Sequence, residues 1–203
     1  MAFWSTDFKG DGATPKDPKR KFRFKVIFTG IGGGTTDAAV AWYAKTVTKP
    51  SFTIEATEHA YLNHKFFYPG AVTWQDVTLT LVDPTDPDMT ATFSDIIQAG
   101  GYQPPSTADA MGTMSKAKAA SALGEVSIVQ IDADGGDLET WVLHNAFITE
   151  VKYGDLAYGD DALVELSLTM KYDWARVTTA VSSGASGVNT TAGTEFFATT
   201  TGA

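Results

Sequence analysis

The sequence predicts a mainly β protein carrying one helix, and three observations lead to that class. Apolar and polar residues alternate with period two along most of the chain. Gly, Pro and Asp punctuate the alternating stretches. Aromatic residues fill 12% of 203 positions, while cysteine is absent. With 43% hydrophobic and only 19% charged residues, the chain can build a core and does not have the composition of a disordered segment. At this length one large domain is expected. The lack of cysteine excludes a disulfide framework and thiolate metal or redox chemistry. No apolar run approaches the roughly 18 residues of a membrane helix, and residues 1–12 lack the basic-then-apolar layout of a secretory leader. A soluble protein with no membrane anchor, made in a reducing compartment, is the expectation.

From Lys21 to Phe28 the even positions are all apolar and three of the four odd ones are basic, which is the signature of a strand with one buried face. Ser51 to Glu58 repeats it, with Phe52, Ile54 and Ala56 expected inward and Thr53, Glu55 and Thr57 outward. Val77, Leu79 and Leu81 alternate with Asp76, Thr78 and Thr80. From Leu163 to Trp174 the pattern predicts one twelve-residue strand, with Val164, Leu166, Leu168, Met170, Tyr172 and Trp174 on its inner face. Weaker strand signals cover Ala41–Thr48, Lys65–Tyr68, Val126–Ile131 and Glu139–Val151. Turns are expected at Tyr68-Pro69-Gly70 and Asp134-Gly135-Gly136-Asp137.

The helix is expected beyond Asp83-Pro84, with Asp86 as N-cap and Pro87 at the first helical position. Met89, Phe93, Ile96 and Ile97 form its apolar stripe and Gly100 closes it. Its single buried stripe suits a plug at an open end of the sheets. Residues 107–123, rich in Ala, Ser, Lys and Met, read as a short helix or a mobile loop. After Thr178 the chain turns to Thr, Ser, Gly and Ala, a flexible tail that Phe196 and Phe197 could anchor. The organisation is therefore a basic arm at 1–20, a β domain at 21–177 and a tail at 178–203.

Charge is unevenly placed. Residues 1–25 carry +4, leaving -13 for the rest of a chain whose total is -9. A basic arm can bind nucleic acid or an acidic membrane, or pair with the acidic body of another copy. Self-association is the preferred reading and a solvated arm the next, while the overall acidity argues against nucleic acid.

Candidate chemistry fails on spacing. Gly30-Ile31-Gly32-Gly33-Gly34-Thr35 has Thr where a dinucleotide loop needs its last glycine, too little chain follows for a crossover helix, and no P-loop lysine is present. Asp132, Asp134 and Asp137 suggest a calcium loop, but position twelve is Leu143 and the glycine is displaced, so an acidic turn is the better reading. His59 and His64 fall on opposite strand faces, and His144 is remote from both. No nucleophile elbow occurs. No catalytic residue, cofactor site or metal site is expected, and the chain is not expected to be an enzyme. A β-sandwich glycoside hydrolase or sugar-binding module, with Trp42, Trp74 or Trp141 as a platform, stands as the alternative.

The order of elements carries a resemblance. A strand at Lys21–Thr29 is followed by Trp42–Glu58 with Pro50 in its middle, then Lys65-Phe66-Phe67-Tyr68-Pro69-Gly70. Next comes Thr73 to Leu81, running through Asp83-Pro84 into a helix. Glu125–Ile131, a strand through Phe147-Ile148-Thr149, and Val164–Trp174 with its Tyr172 and Trp174 close the run. Over roughly residues 20–176 this order resembles the tail tube proteins of contractile-tailed bacteriophages, related to the tubes of contractile injection and secretion systems.

The resemblance implies a β-sandwich or barrel with one flanking α-helix, six copies closing into a ring, and rings stacking into the inner tube of a contractile tail. Each copy would give four strands to a continuous inner β-barrel. Twenty-four strands about 4.8 Å apart, tilted about 40°, leave a channel of roughly 35 to 40 Å, wide enough for duplex DNA about 20 Å across. The resemblance further implies tail sheath, baseplate and tail terminator proteins as partners, a place in the virion after assembly in the host cytoplasm, and DNA that passes without specific binding. The tube of an injection or secretion apparatus, with protein cargo, is the close alternative. Lumen-facing candidates are Thr53, Glu55, Thr57, Glu165, Ser167 and Thr169, and the acidity of each copy would keep DNA from sticking. Inter-ring candidates are Lys19, Arg20 and Lys21 against Asp155, Asp160 and Asp161, in a body where Asp132–Asp173 holds ten acids and two bases.

Overall fold

Eleven strands and two helices make up the described part of the computed structural model, which comprises residues 19–30, 44–86, 88–105, 112–179 and 195–196. The basic arm up to residue 18, most of the glycine loop, Trp42, Pro87 and most of the tail lie outside it. In chain order the elements begin with β1 (Phe24–Phe28), β2 (Ala44–Val47), β3 (Phe52–Tyr61), β4 (His64–Trp74) and β5 (Val77–Val82). The helices α1 (Met89–Ala99) and α2 (Lys116–Leu123) follow. The chain continues with β6 (Val126–Ile131), β7 (Asp137–His144), β8 (Phe147–Lys152), β9 (Glu165–Lys171), β10 (Trp174–Thr179) and β11 (Glu195–Phe196).

All strand pairs are antiparallel. One sheet runs β1-β6-β7-β10-β11, a second runs β2-β5-β9-β8, and β3 pairs only with β4. The two larger sheets share one core. Val26, Phe28, Val126, Ile128, Leu143 and Ala175 come from the first; Val77, Leu79, Leu81, Leu166, Leu168 and Met170 come from the second. These are the inward positions that alternation predicts for β1, β5, β6 and β9, because a period of two places every second side chain on one face. Met89 and Phe93 of α1 and Leu123 of α2 join the same core, and the Phe93 ring meets Phe28 edge-on at 6.4 Å.

Two predicted strands are each divided. The run Leu163–Trp174 breaks at Tyr172-Asp173, and the run Glu139–Val151 breaks at Asn145-Ala146, because at both points the chain crosses from one sheet to the other. The phase shifts with the crossing: Tyr172 is buried, but the next inward residue is Ala175, and Trp174 is exposed where the alternation put it inside. Asp173 ties both crossings together. Its N–H donates to the His144 carbonyl at 3.1 Å, and its carboxylate accepts from Asn145 Nδ2 at 2.9 Å and from Lys116 Nζ at 2.6 Å. Those bonds, Lys116 first, lower its pKa. Asn145 sits at φ +55, a left-handed conformation that asparagine tolerates better than most residues.

The helix N-cap is Asp88, not Asp86. Its side chain accepts from the Ala91 N–H at 3.0 Å, while Asp83 accepts from the Met89 N–H and Thr90 Oγ1. Two carboxylates thus serve the helix start, satisfying donors that have no partner within the helix. The ambiguous 107–123 stretch contains α2 over Lys116–Leu123, capped by Ser115, so two helices flank the sheets where one was expected.

Candidate functional site

The β3–β4 pair forms an arm rooted on the four-stranded sheet. β2 leads into β3 through Thr48–Ser51, and β4 leads into β5 through Gln75-Asp76. Hydrogen bonding continues through this joint: Thr48 N–H donates to Thr78 O at 3.0 Å, Thr78 N–H donates to Thr48 Oγ1 at 2.7 Å, and Gln75 N–H donates to Ser51 O at 2.8 Å. A ladder of rings fixes the root to the core. Phe52 lies 5.1 Å from Trp74, and Trp74 lies 5.8 Å from Tyr172. Burial beside Trp74 pushes the Tyr172 hydroxyl up to about 12.

Tyr68-Pro69-Gly70, expected as a turn, lies inside β4. The turn is instead at Leu62-Asn63, with Leu62 at φ +53. The Pro-Gly pair marks a register shift: Ile54 faces Val72, but Ala56 faces Pro69, so β4 carries an extra residue. A Cβ on Gly70 would come 3.2 Å from the Glu55 carbonyl oxygen, a close approach that favours glycine at this bulge. Proline is tolerated because β4 has a partner on one side only.

Every residue of β3, and all of β4 except Trp74, is exposed. This corrects the expectation that Phe52, Ile54 and Ala56 are covered: Ile54 is 53% exposed, Val72 52% and Phe67 64%. Beyond its root, the arm's apolar face is not covered by any described residue. At its root, Phe52, Ile54, Val72 and Trp74 line an open groove of about 660 Å³ with Trp174, Ala175 and Arg176. A two-stranded ribbon of this kind is marginal alone, and its edges present unpaired backbone groups.

The six lumen candidates share one phase within each of their two strands. Thr53, Glu55 and Thr57 alternate with the core-ward Phe52 and Ile54, while Glu165, Ser167 and Thr169 alternate with buried Leu166, Leu168 and Met170. Gln75, between arm and sheet, donates to Thr53 Oγ1 at 3.4 Å. Of the strands that follow α2, only β8 and β9 lie in the sheet that carries Glu165, Ser167 and Thr169; β7 belongs to the other sheet. On the outer face of β2-β5-β9-β8 each lysine meets a carboxylate: Lys45 with Glu165, Lys152 with Glu150 at 3.2 Å, and Lys171 with Asp76 at 3.8 Å. Strands β2 and β8 are the two edges of this sheet.

The inter-ring candidates are not brought together within one chain. Lys19 pairs with Glu139, and the Arg20 carbonyl accepts from Gln130 Nε2 at 3.2 Å. Lys21 is exposed. Asp155, Asp160 and Asp161 lie on the exposed loop between β8 and β9, where Asp160 accepts from the Ala162 N–H.

Glu139 is the site residue that pattern reading missed. Burial raises its pKa, but hydrogen bonds from Lys19, Lys49 and Trp141 Nε1 outweigh that and hold it at about 2. Lys49 reaches it at 2.8 Å and also donates to Gln130 Oε1 at 2.7 Å, so this carboxylate fastens the arm's root and the N-terminal approach to β7. The available signal was its phase: Glu139 shares strand parity with Leu143 of the core.

The described residues that invited a chemical reading are placed as follows. His144 stacks on Trp174 at 5.5 Å, and His59 and His64 lie out on the arm. Trp74 is spent in the root ladder and Trp141 in the bond to Glu139. Asp132 closes its own turn, accepting from the Asp134 and Gly136 N–H groups, while Asp137 pairs with Lys25. Among the described residues no group of three potential ligands could hold a metal ion, and no helix is long and apolar enough to cross a membrane.

No family model and no curated protein matches the sequence. Solved structures do match the fold. A chain from the tube-terminating cap of the anti-feeding prophage superposes with a TM-score of 0.61 at 17% identity, over 89% of this chain and 100% of that one. A chain from the six-fold symmetrised baseplate of the same particle gives 0.54 at 17% identity, over 82% and 97%. A chain from the extended sheath–tube complex of the PVC extracellular contractile injection system gives 0.56 at 16% identity, over 80% and 92%. The fold is therefore one found in contractile injection particles, in agreement with the resemblance drawn from element order.

Proposed function

We propose that the chain is a structural subunit of the inner tube of a contractile particle. Copies close into a ring by pairing the β2 edge of one four-stranded sheet with the β8 edge of the next, and rings stack into a conduit. The observation that carries this reading is the unfinished state of the single chain: an open-edged sheet continuous with an arm that is exposed on both faces. Unpaired strand edges are an aggregation hazard unless another chain completes them, and ring closure completes both edges of the four-stranded sheet at once. The fold shared with chains of injection particles supports the same reading. In its finer form the particle is a phage tail, the tube a passage for DNA into the host, and the ring a hexamer; a tube that delivers protein from an injection particle is the neighbouring form.

Negative-stain imaging of purified protein at high concentration tests the reading. Rings or tubes with a central channel are expected, with six-fold class averages for the hexameric form. A chain that remains single at high concentration, and is missing from particles assembled in its presence, overturns it.

A further inference from the structure

We propose that the outer face of β2-β5-β9-β8 is an electroneutral, hydroxyl-lined wall that does not select its cargo by charge. This rests on the reading above, with the side of β9 that carries the lumen candidates Glu165, Ser167 and Thr169 turned to the bore.

The chain carries -9, yet the charged residues within these four strands are Lys45, Glu150, Lys152, Glu165 and Lys171. With Asp76, which Lys171 meets, the face balances at three lysines and three carboxylates, each in an ion pair. Between them lie Thr46, Thr78, Thr80, Ser167 and Thr169, brought into one band by the register: Thr46 opposite Thr80, Thr80 opposite Ser167, and Thr78 opposite Thr169. The acidity sits elsewhere, in Asp132 and Asp134 of the β6–β7 turn, Asp155, Asp160 and Asp161 of the β8–β9 loop, and Asp86, Asp88 and Asp95 around α1.

Exposed ion pairs like these add little to stability. Their larger consequence is for the field, since a neighbouring opposite charge cancels each one within a Debye length of about 8 to 10 Å. Hydroxyls donate and accept hydrogen bonds and exchange readily with water. Such a wall neither repels a polyanion nor holds it.

Because the chain has no cysteine, single-cysteine variants read the local potential directly. T78C and S167C would be reacted with cationic and anionic methanethiosulfonates, in dispersed and assembled protein. A157C, between Asp155 and Asp160, serves as the acidic control. Normalised to a small free thiol, the cationic-to-anionic rate ratio should stay within about threefold of one at T78C and S167C, at low and high salt. It should reach about tenfold at A157C in low salt, because uncancelled surface charge produces potentials of several kT. A tenfold, salt-sensitive cation preference at T78C and S167C overturns the neutral wall. Adding Lys45→Ala and Lys152→Ala to T78C should create that preference by leaving two carboxylates unpaired. A dextran-linked maleimide distinguishes the two readings: equal reaction at T78C and A157C in assembled protein removes the bore, while the rate ratio in dispersed protein still decides neutrality.

Discussion

Leu79 and Ile54 occupy strands of the same kind, each flanked by polar residues at period two, yet Leu79 is fully buried and Ile54 is 53% exposed. Leu79 belongs to a sheet whose inner face meets a second sheet; Ile54 belongs to an arm whose apolar face is left open, meeting the rest of the described chain only along the groove at its root. The difference teaches that alternation reports which face of a strand is apolar, but not which molecule covers it. In the sandwich the cover is the chain itself. In the arm it has to be another copy if the assembly reading holds.

The largest expected effect separates the two regions directly. Leu168→Ala empties a fully buried site and should cost about 2–5 kcal/mol in urea unfolding of the dispersed chain. Ile54→Ala should cost about 0.5 kcal/mol or less in the same measurement, as surface substitutions do. In assembly the order reverses for the arm: Ile54→Ala with Val72→Ala should raise the concentration needed for ring formation at least about tenfold, since each side chain is worth about 1.5–3 kcal/mol when buried. Equal unfolding losses for Leu168→Ala and Ile54→Ala would show that the arm is already part of the core.

Glu139 sharpens the comparison at the joint, because its three donors come from the N-terminal approach, the arm's root and β7. Its folded pKa of about 2 lies below the ordinary 4.5. A depressed carboxylate pKa stabilises the fold above the unfolded value, and that contribution is lost as pH falls from about 4.5 to about 2. The shift corresponds to about 3 kcal/mol before allowance for screening by solvent around the half-exposed lysines, so about 1–3 kcal/mol is expected. Glu139→Gln should remove this amount at pH 7 and flatten the acid limb of the stability curve between about pH 4.5 and 2. An unchanged acid limb would assign the acid sensitivity to other carboxylates.

Much of the sandwich was legible because β1, β5, β6 and β9 bury alternate residues within one chain, and the stripe of α1 found its core. The divided strands were not legible, since Asn145 and Asp173 turn the chain between sheets without the glycine or proline that usually marks such a point. Pro69-Gly70 misled in the opposite direction: turn chemistry served a bulge inside a strand. At the candidate site, phase alone placed Thr53, Glu55 and Thr57 on the side of the arm away from Phe52, and Ser167 and Thr169 on the outer face of β9. Charge could not be read the same way. Net acidity is a sum over the chain, whereas the ion pairs that cancel it on one face, such as Lys152 with Glu150 and Lys171 with Asp76, depend on strand register.

The smallest effect tests whether the arm behaves as a unit of its own. Leu62 holds φ +53 at the turn and is 86% exposed, so it bears backbone strain and returns no burial. A left-handed residue with a Cβ costs roughly 1–2 kcal/mol, and asparagine lowers that by hydrogen bonding locally. Leu62→Asn should therefore slow hydrogen exchange of the arm's amides by about two- to fivefold, the equivalent of about 0.5–1 kcal/mol. Exchange in β5, β6 and β9 should not change, because the ring ladder from Phe52 to Tyr172 ends the arm at the core surface. Slower exchange in both regions would mean that arm and sandwich open together, and the arm would then be a cooperative extension of the core.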